Sequence, residues 1–177
     1  TANGDNSVAI GAGAVANGRR AIAFGTGAQA LGFNTDPIAF GTSALSDGTA
    51  TSSYGGESDA VGTNATALGA YSNANGVNAI AIGTARATGT NVIAFGAGAL
   101  ATGTDSTAGG AGASATGSNA AAYGAGSTAT SESSAFGAAA SADGQGASAI
   151  GRSASASGKG ALASGFKAKA SGTNALA

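Results

Sequence analysis

The chain has 177 residues, a formal net charge of −1, only 8% charged side chains, and no cysteine, histidine or methionine. That composition excludes a disulfide framework, a Cys/His zinc site, a Ser-His-Asp triad and a Cys-His pair, and it leaves no basic field to neutralise nucleic-acid phosphates. The 43% hydrophobic content is mostly alanine, and no apolar run is long enough to cross a bilayer, so an enzyme, a cofactor and direct membrane contact are not expected of this fragment.

In chain order, the first element is Ser7-Val8-Ala9-Ile10-Gly11-Ala12-Gly13-Ala14-Val15-Ala16-Asn17-Gly18, and nearly everything after it repeats it. Each copy holds two short pieces of period-2 alternation, each closed by a glycine. The first glycines stand at Gly11, Gly25, Gly41, Gly55, Gly69, Gly83, Gly96, Gly110, Gly124, Gly137, Gly151 and Gly165, in steps of 14 residues apart from one step of 16 and two of 13. A second set follows seven residues later (six at Gly89), with Ser131 filling one missing place. A short fixed period means a quasi-one-dimensional stack in which each unit touches its neighbours. The reading is a single all-β domain over 1–177, a parallel β-roll of about twelve coils with two short strands per coil.

The residue before each first glycine is large in ten copies: Ile10, Phe24, Phe40, Tyr54, Leu68, Ile82, Phe95, Tyr123, Phe136 and Ile150; Gly109 and Ser164 take the other two places. The residue before that one is alanine in every copy except Ser53. Adjacent side chains of a strand face opposite ways, so a bulky column and an alanine column look in opposite directions. The second half-unit alternates small residues, such as Ala28/Ala30 and Ser72/Ala74, with variable ones, among them Val15, Gln29, Asp59, Arg86, Ser155 and Lys169. The variable column is expected to face solvent. Two arrangements follow. If alanines line a flattened roll, the ten large residues form an external apolar stripe that favours association, at roughly 1.5–3 kcal/mol for each side chain buried. If the large residues fill the roll, a monomer suffices. Glycine at each corner permits positive φ or close backbone approach.

Irregularities are informative. The 16-residue step carries Phe33-Asn34-Thr35-Asp36-Pro37 with the only proline, which predicts a corner bulging from the roll. Thinner packing is expected at Ser52-Ser53-Tyr54, Gly109 and Ser164. Arg152, Lys159, Lys167 and Lys169 follow the last acid, Asp143; besides keeping an alanine-rich surface soluble, they are candidates for binding an acidic polymer or a partner domain. Phosphate-loop motifs are absent, Gly109-Gly110-Ala111-Gly112 lacks the aspartate of a calcium-binding repeat, and the threonines Thr49, Thr63, Thr90, Thr104 and Thr173 make a ladder too broken for an ice-binding surface.

Asn6-Ser7-Val8-Ala9-Ile10-Gly11 returns in degenerate form as Ile22-Ala23-Phe24-Gly25, Ile80-Ala81-Ile82-Gly83, Ile93-Ala94-Phe95-Gly96 and Ser148-Ala149-Ile150-Gly151. This unit resembles the head repeat of the YadA-like trimeric autotransporter adhesins, surface proteins of Gram-negative bacteria. The resemblance implies a left-handed parallel β-roll, a homotrimer with the ten large residues at its seam, and a head held outside the outer membrane on a stalk and anchor not included in this fragment. It also implies an adhesin that attaches to host extracellular matrix or cell surfaces by multivalent contacts, the alternative being a structural spacer that carries a different binding domain. A family unit of the form N-S-V-A-I-G-x-x-S is linked with collagen binding; here the last position is Ala14, and serine occupies it only at Ser58, Ser72 and Ser127.

Overall fold

The computed structural model describes residues 1–32 and 36–177, so most of the expected bulge, Phe33 to Thr35, lies outside the described residues. The chain forms two compact units, Thr1–Thr90 and Asn91–Ala177. In the first, strands β1 (Val8–Ile10), β2 (Val15–Ala16), β3 (Ile22–Phe24), β4 (Gln29–Ala30), β5 (Ile38–Phe40), β6 (Leu45–Asp47), β7 (Ser52–Tyr54), β8 (Asp59–Val61), β9 (Thr66–Leu68), β10 (Asn73–Asn75), β11 (Ile80–Ile82) and β12 (Arg86–Ala87) alternate between two sheets. Odd-numbered strands pair parallel with odd, and even with even. The second unit repeats the plan with β13 (Ile93–Phe95), β14 (Leu100–Ala101), β15 (Thr107–Gly109), β16 (Ser114–Ala115), β17 (Ala121–Tyr123), β18 (Thr128–Ala129), β19 (Ser134–Phe136), β20 (Ser141–Ala142), β21 (Ser148–Ile150), β22 (Ser155–Ala156), β23 (Leu162–Ser164) and β24 (Lys169–Ala170). Each unit is therefore a parallel β-solenoid with coils of about 14 residues.

Register follows the repeat. Ala9 pairs with Ala23 and Ala23 with Ala39, so alanine stacks on alanine while the large residues stack on one another. The 13-residue steps keep this phase: Asn73 pairs with Arg86 and Ala74 with Ala87 across one of them. The missing residue comes from a corner, where no side-chain alternation can be broken.

Of the two arrangements open in the sequence, the structure has alanine inside. A coil contributes four inward residues, for example Ala21, Ala23, Ala28 and Ala30, all fully buried. Val92, Thr51 and Pro37 are the bulkiest fully buried side chains among the described residues, which sets the steric limit of the interior at about the size of valine. The coil at Ser52-Ser53-Tyr54 is not hollow, because hydroxyls take over there. Ser46 Oγ and Thr51 Oγ1 are 2.6 Å apart, and Ser53 Oγ and Ser58 Oγ are 2.7 Å apart, all four residues fully buried. A buried hydroxyl with a partner escapes most of the desolvation penalty that a lone one carries.

Most of the described corners share one kind of turn. Ala14 N–H donates to Gly11 O and Ala28 N–H to Gly25 O at 3.2 Å each, closing four-residue turns whose third residue has positive φ, as at Gly13 (70°) and Gly27 (69°). That is the signature of a type II turn. The other corner has positive φ in the same place, often at asparagine, with 56° at Asn6, 55° at Asn64 and 56° at Asn119, a residue that tolerates the left-handed region, and elsewhere at Arg20, Ala50 or Glu132. The left-handed conformation turns the N–H of this residue onto the preceding coil: Asn64 N–H reaches Thr49 O and Glu57 N–H reaches Thr42 O, both at 2.8 Å. Glycine opens the turns for a second reason as well. A Cβ on Gly103, whose φ is ordinary, would fall on the carbonyl of Gly117 in the next coil.

Pro37, in the 16-residue step, is fully buried in the inward place that Ala21 and Thr51 occupy in neighbouring coils. Ala21 uses its N–H only to close the turn onto Gly18, so proline there loses a turn bond and no ladder bond, and its carbonyl still accepts from Ile22 N–H at 3.0 Å.

Candidate binding surfaces

The outward face of the odd-numbered strands is apolar. In the first unit Ile10, Phe24, Phe40, Tyr54, Leu68 and Ile82 are in register, each pairing with the next. In the second, Phe95, Gly109, Tyr123, Phe136 and Ile150 follow the same rule. The ten large residues are 37–51% exposed. Phe24 and Phe40 stack with centroids 4.7 Å apart, and Tyr123 and Phe136 at 5.4 Å. Such stacking covers each ring on its ladder side and leaves its outer edge wet.

This face is wider than the large column alone. Val8, Ile22, Ile38, Ile80 and Ile93 stand two residues earlier and point the same way; Val8 is 45% exposed. The period-2 rule contains this second column, which is large and apolar at Val8, Ile22, Ile38, Ile80, Ile93 and Leu162 and is serine, threonine or alanine at Ser52, Thr66, Thr107, Ala121, Ser134 and Ser148. The even-numbered strands present a different face, polar and mixed in charge, with Gln29, Asp59, Asn73, Arg86, Ser114, Thr128 and Lys169.

The four late cations do not form one cluster. Arg152 and Lys167 sit at the corner after the odd-numbered strands, one coil apart, with Lys167 N–H bonded to Arg152 O at 3.0 Å. Phe166 meets both: the Arg152 guanidinium is 4.4 Å and the Lys167 ammonium 5.1 Å from its ring centroid. Lys169 is on β24 two residues further on. Lys159 follows Gly158 at the opposite corner. The aromatic partner was not anticipated, although Phe166 is the one large residue in a corner place filled elsewhere by alanine, threonine, glycine or arginine.

One exposed ion pair occurs among the described residues. Arg20 Nε donates to Asp36 Oδ1 at 2.7 Å and Arg20 Nη2 to Asp36 Oδ2 at 2.6 Å. This fork holds the Asp36 carboxyl below its ordinary range, chiefly through the hydrogen bonds, and raises the guanidinium of Arg20. Among the described residues there is no pocket and no group of three side chains arranged to hold a metal ion.

A family model described as YadA head domain repeat (2 copies) matches residues 2–28, 60–85, 83–99, 87–113, 131–154 and 156–177, well over half of the chain. The chain belongs to the YadA head family. No curated protein matches it. In this YadA-like head the serines at the last place of the collagen-linked unit are structural braces. Ser58, Ser72 and Ser127 are buried and donate to Gly55 O, Gly69 O and Gly124 O at 2.8, 2.7 and 2.9 Å. Ala14 occupies the same inward place at 1% exposure, so a ligand meets neither residue type. What this unit of the head offers to a partner is Asn6, Val8 and Ile10, all exposed.

Proposed function

We propose that residues 1–177 act as one head of a trimeric autotransporter adhesin on the bacterial surface, outside the outer membrane, and attach the cell to host extracellular matrix or cell-surface molecules. The observation that carries this reading, beside family membership, is the apolar face that the odd-numbered strands present in each unit. Half-exposed large side chains in ladder register, six in the first unit and four in the second, form patches of the kind that mark an interaction surface. In the proposed trimer, Ile10, Phe24, Phe40, Tyr54, Leu68, Ile82, Phe95, Tyr123, Phe136 and Ile150 are the seam. The polar face of the even-numbered strands and the corners then remain outside, three copies per head, and shallow contacts gain avidity by repetition. No side chain is assigned a catalytic role.

Light scattering tests the assembly: the fragment should run at three times the mass of one chain, and a folded monomer at micromolar concentration would remove the seam. Deleting 1–177 from the full surface protein while preserving its flanks tests the role. Lost adhesion with normal display of the remainder supports the head as adhesin; unchanged adhesion would make it a spacer.

A further inference from the structure

The corner Gly165-Phe166-Lys167 places a 58%-exposed phenylalanine against two cations, Arg152 from the coil before it and Lys167 beside it. From Gly144 to Ala177 the chain contains no Asp or Glu, and among the described residues no carboxylate pairs with Arg152, Lys167 or Lys169. Arg20, by contrast, is neutralised by a bidentate contact with Asp36. Here the partner of both cations is an uncharged ring, which restrains them without cancelling their charge. Two preorganised positive groups, with a third on the adjoining strand β24, are a receptor for anions at reduced entropic cost.

We infer that Arg152, Phe166 and Lys167, with Lys169 beside them, form a binding site for a sulfated polysaccharide. A guanidinium fork matches the oxygens of a sulfate ester, and a lysine adds a point charge for a neighbouring group. The absence of a pocket among the described residues suits an extended polymer lying across the corner rather than an enclosed small ligand. Duplex nucleic acid is disfavoured, because tight binding to it draws on roughly 6–10 phosphate contacts and this patch offers three cations on a chain of net charge −1. Lys159, at the opposite corner, does not belong to the site. The inference deepens the matrix-binding reading by naming a ligand class, and it rests on that reading for its biological role.

The test uses the purified head and a size-defined heparin oligosaccharide, followed by calorimetry at physiological salt. Wild type should bind, the double variant Arg152→Ala/Lys167→Ala should bind about tenfold or more weakly, Phe166→Ala severalfold more weakly with all charges retained, and Lys159→Ala within about twofold of wild type. Circular dichroism of each variant checks that the β-roll is intact; these side chains are exposed, so a folded variant is expected. The site is overturned if heparin does not bind, if Lys159→Ala weakens binding as much as the double variant, or if desulfated heparin, poly-glutamate or duplex DNA binds as tightly as heparin. Adhesion to matrix separates the two levels. A folded double variant that loses heparin but adheres as wild type does leaves the matrix reading standing and removes this site from it; a head that binds heparin yet supports no adhesion removes the matrix reading while leaving the site.

Discussion

The ring of Phe95 lies over Gly109, the next rung of its own ladder, so that a Cβ on Gly109 would overlap Phe95 Cζ. Gly109 is thereby buried, and Phe95 reaches across it to Tyr123, with centroids 6.2 Å apart. The rung that lacks its large residue is covered by its neighbour, and the aromatic column continues across it.

Two kinds of glycine follow from this, with different costs of substitution. Gly109→Ala meets the far end of a side chain that can swing aside, and its φ is ordinary, so a loss of about 1 kcal/mol is expected. Gly25→Ala puts its Cβ on the Gly41 carbonyl at a φ of 134°, for which roughly 2–4 kcal/mol is expected. Denaturant midpoints of the two variants should differ in that order; equal midpoints would show that stacked backbone does not dictate the corner glycines.

The buried hydroxyl pairs give a double-mutant test. Ser53→Ala removes the bonds from Ser53 Oγ to Ser58 Oγ and Ser58 O, for about 1 kcal/mol. Removing both hydroxyls should be nearly additive-free: Ser53→Ala/Ser58→Ala restores the pair of small apolar residues that other coils carry, such as Ala81 and Ala85, so the second substitution should add little beyond the bond from Ser58 Oγ to Gly55 O. The two single losses adding in full would mean that the hydroxyls do not act as a pair.

Ladder register and the segregation of alanine to one face were legible because a 14-residue phase and a period-2 alternation survive in nearly every copy. Alternation separates two faces but does not say which is inside; packing decides that, through an interior whose bulkiest fully buried residue, among the described residues, is Val92. Features that join residues of different coils or strands were not legible. The bonds of Ser53 to Ser58, the Arg20–Asp36 fork across the 16-residue step and the contact of Phe166 with the Arg152 guanidinium each need the coil geometry first. The left-handed conformation of Tyr71, φ 59°, was equally hidden, because its cause is an N–H bond to Gly56 O in the coil before it.

The apolar face should govern assembly. Phe24 and Phe40 are stacked and 41% and 48% exposed; replacing both with serine removes two rings from the proposed seam while leaving the buried alanines untouched. Each ring gives roughly 1.5 kcal/mol per protomer if its remaining exposed half is covered. The variant should remain β-structured by circular dichroism and dissociate at concentrations where the proposed wild-type trimer holds together. An unchanged mass across the same dilution series would place the seam elsewhere.

The Arg20–Asp36 fork predicts a small pH dependence of known sign. The carboxyl of Asp36 is held below its ordinary range by hydrogen bonds from Arg20, so in the unfolded chain it takes up a proton at higher pH than in the folded one. The pair therefore stabilises the fold in full above the usual carboxylate range, and the contribution is lost as pH falls through the depressed folded value. Both side chains are about half exposed, 56% and 48%, so the effect is modest and weakens with salt. Asp36→Asn should melt below wild type at neutral pH, and the two melting curves should converge as the buffer is acidified below the ordinary carboxylate range. A gap between them that persists into strong acid would mean that Asp36 acts by packing or backbone geometry rather than by its charge.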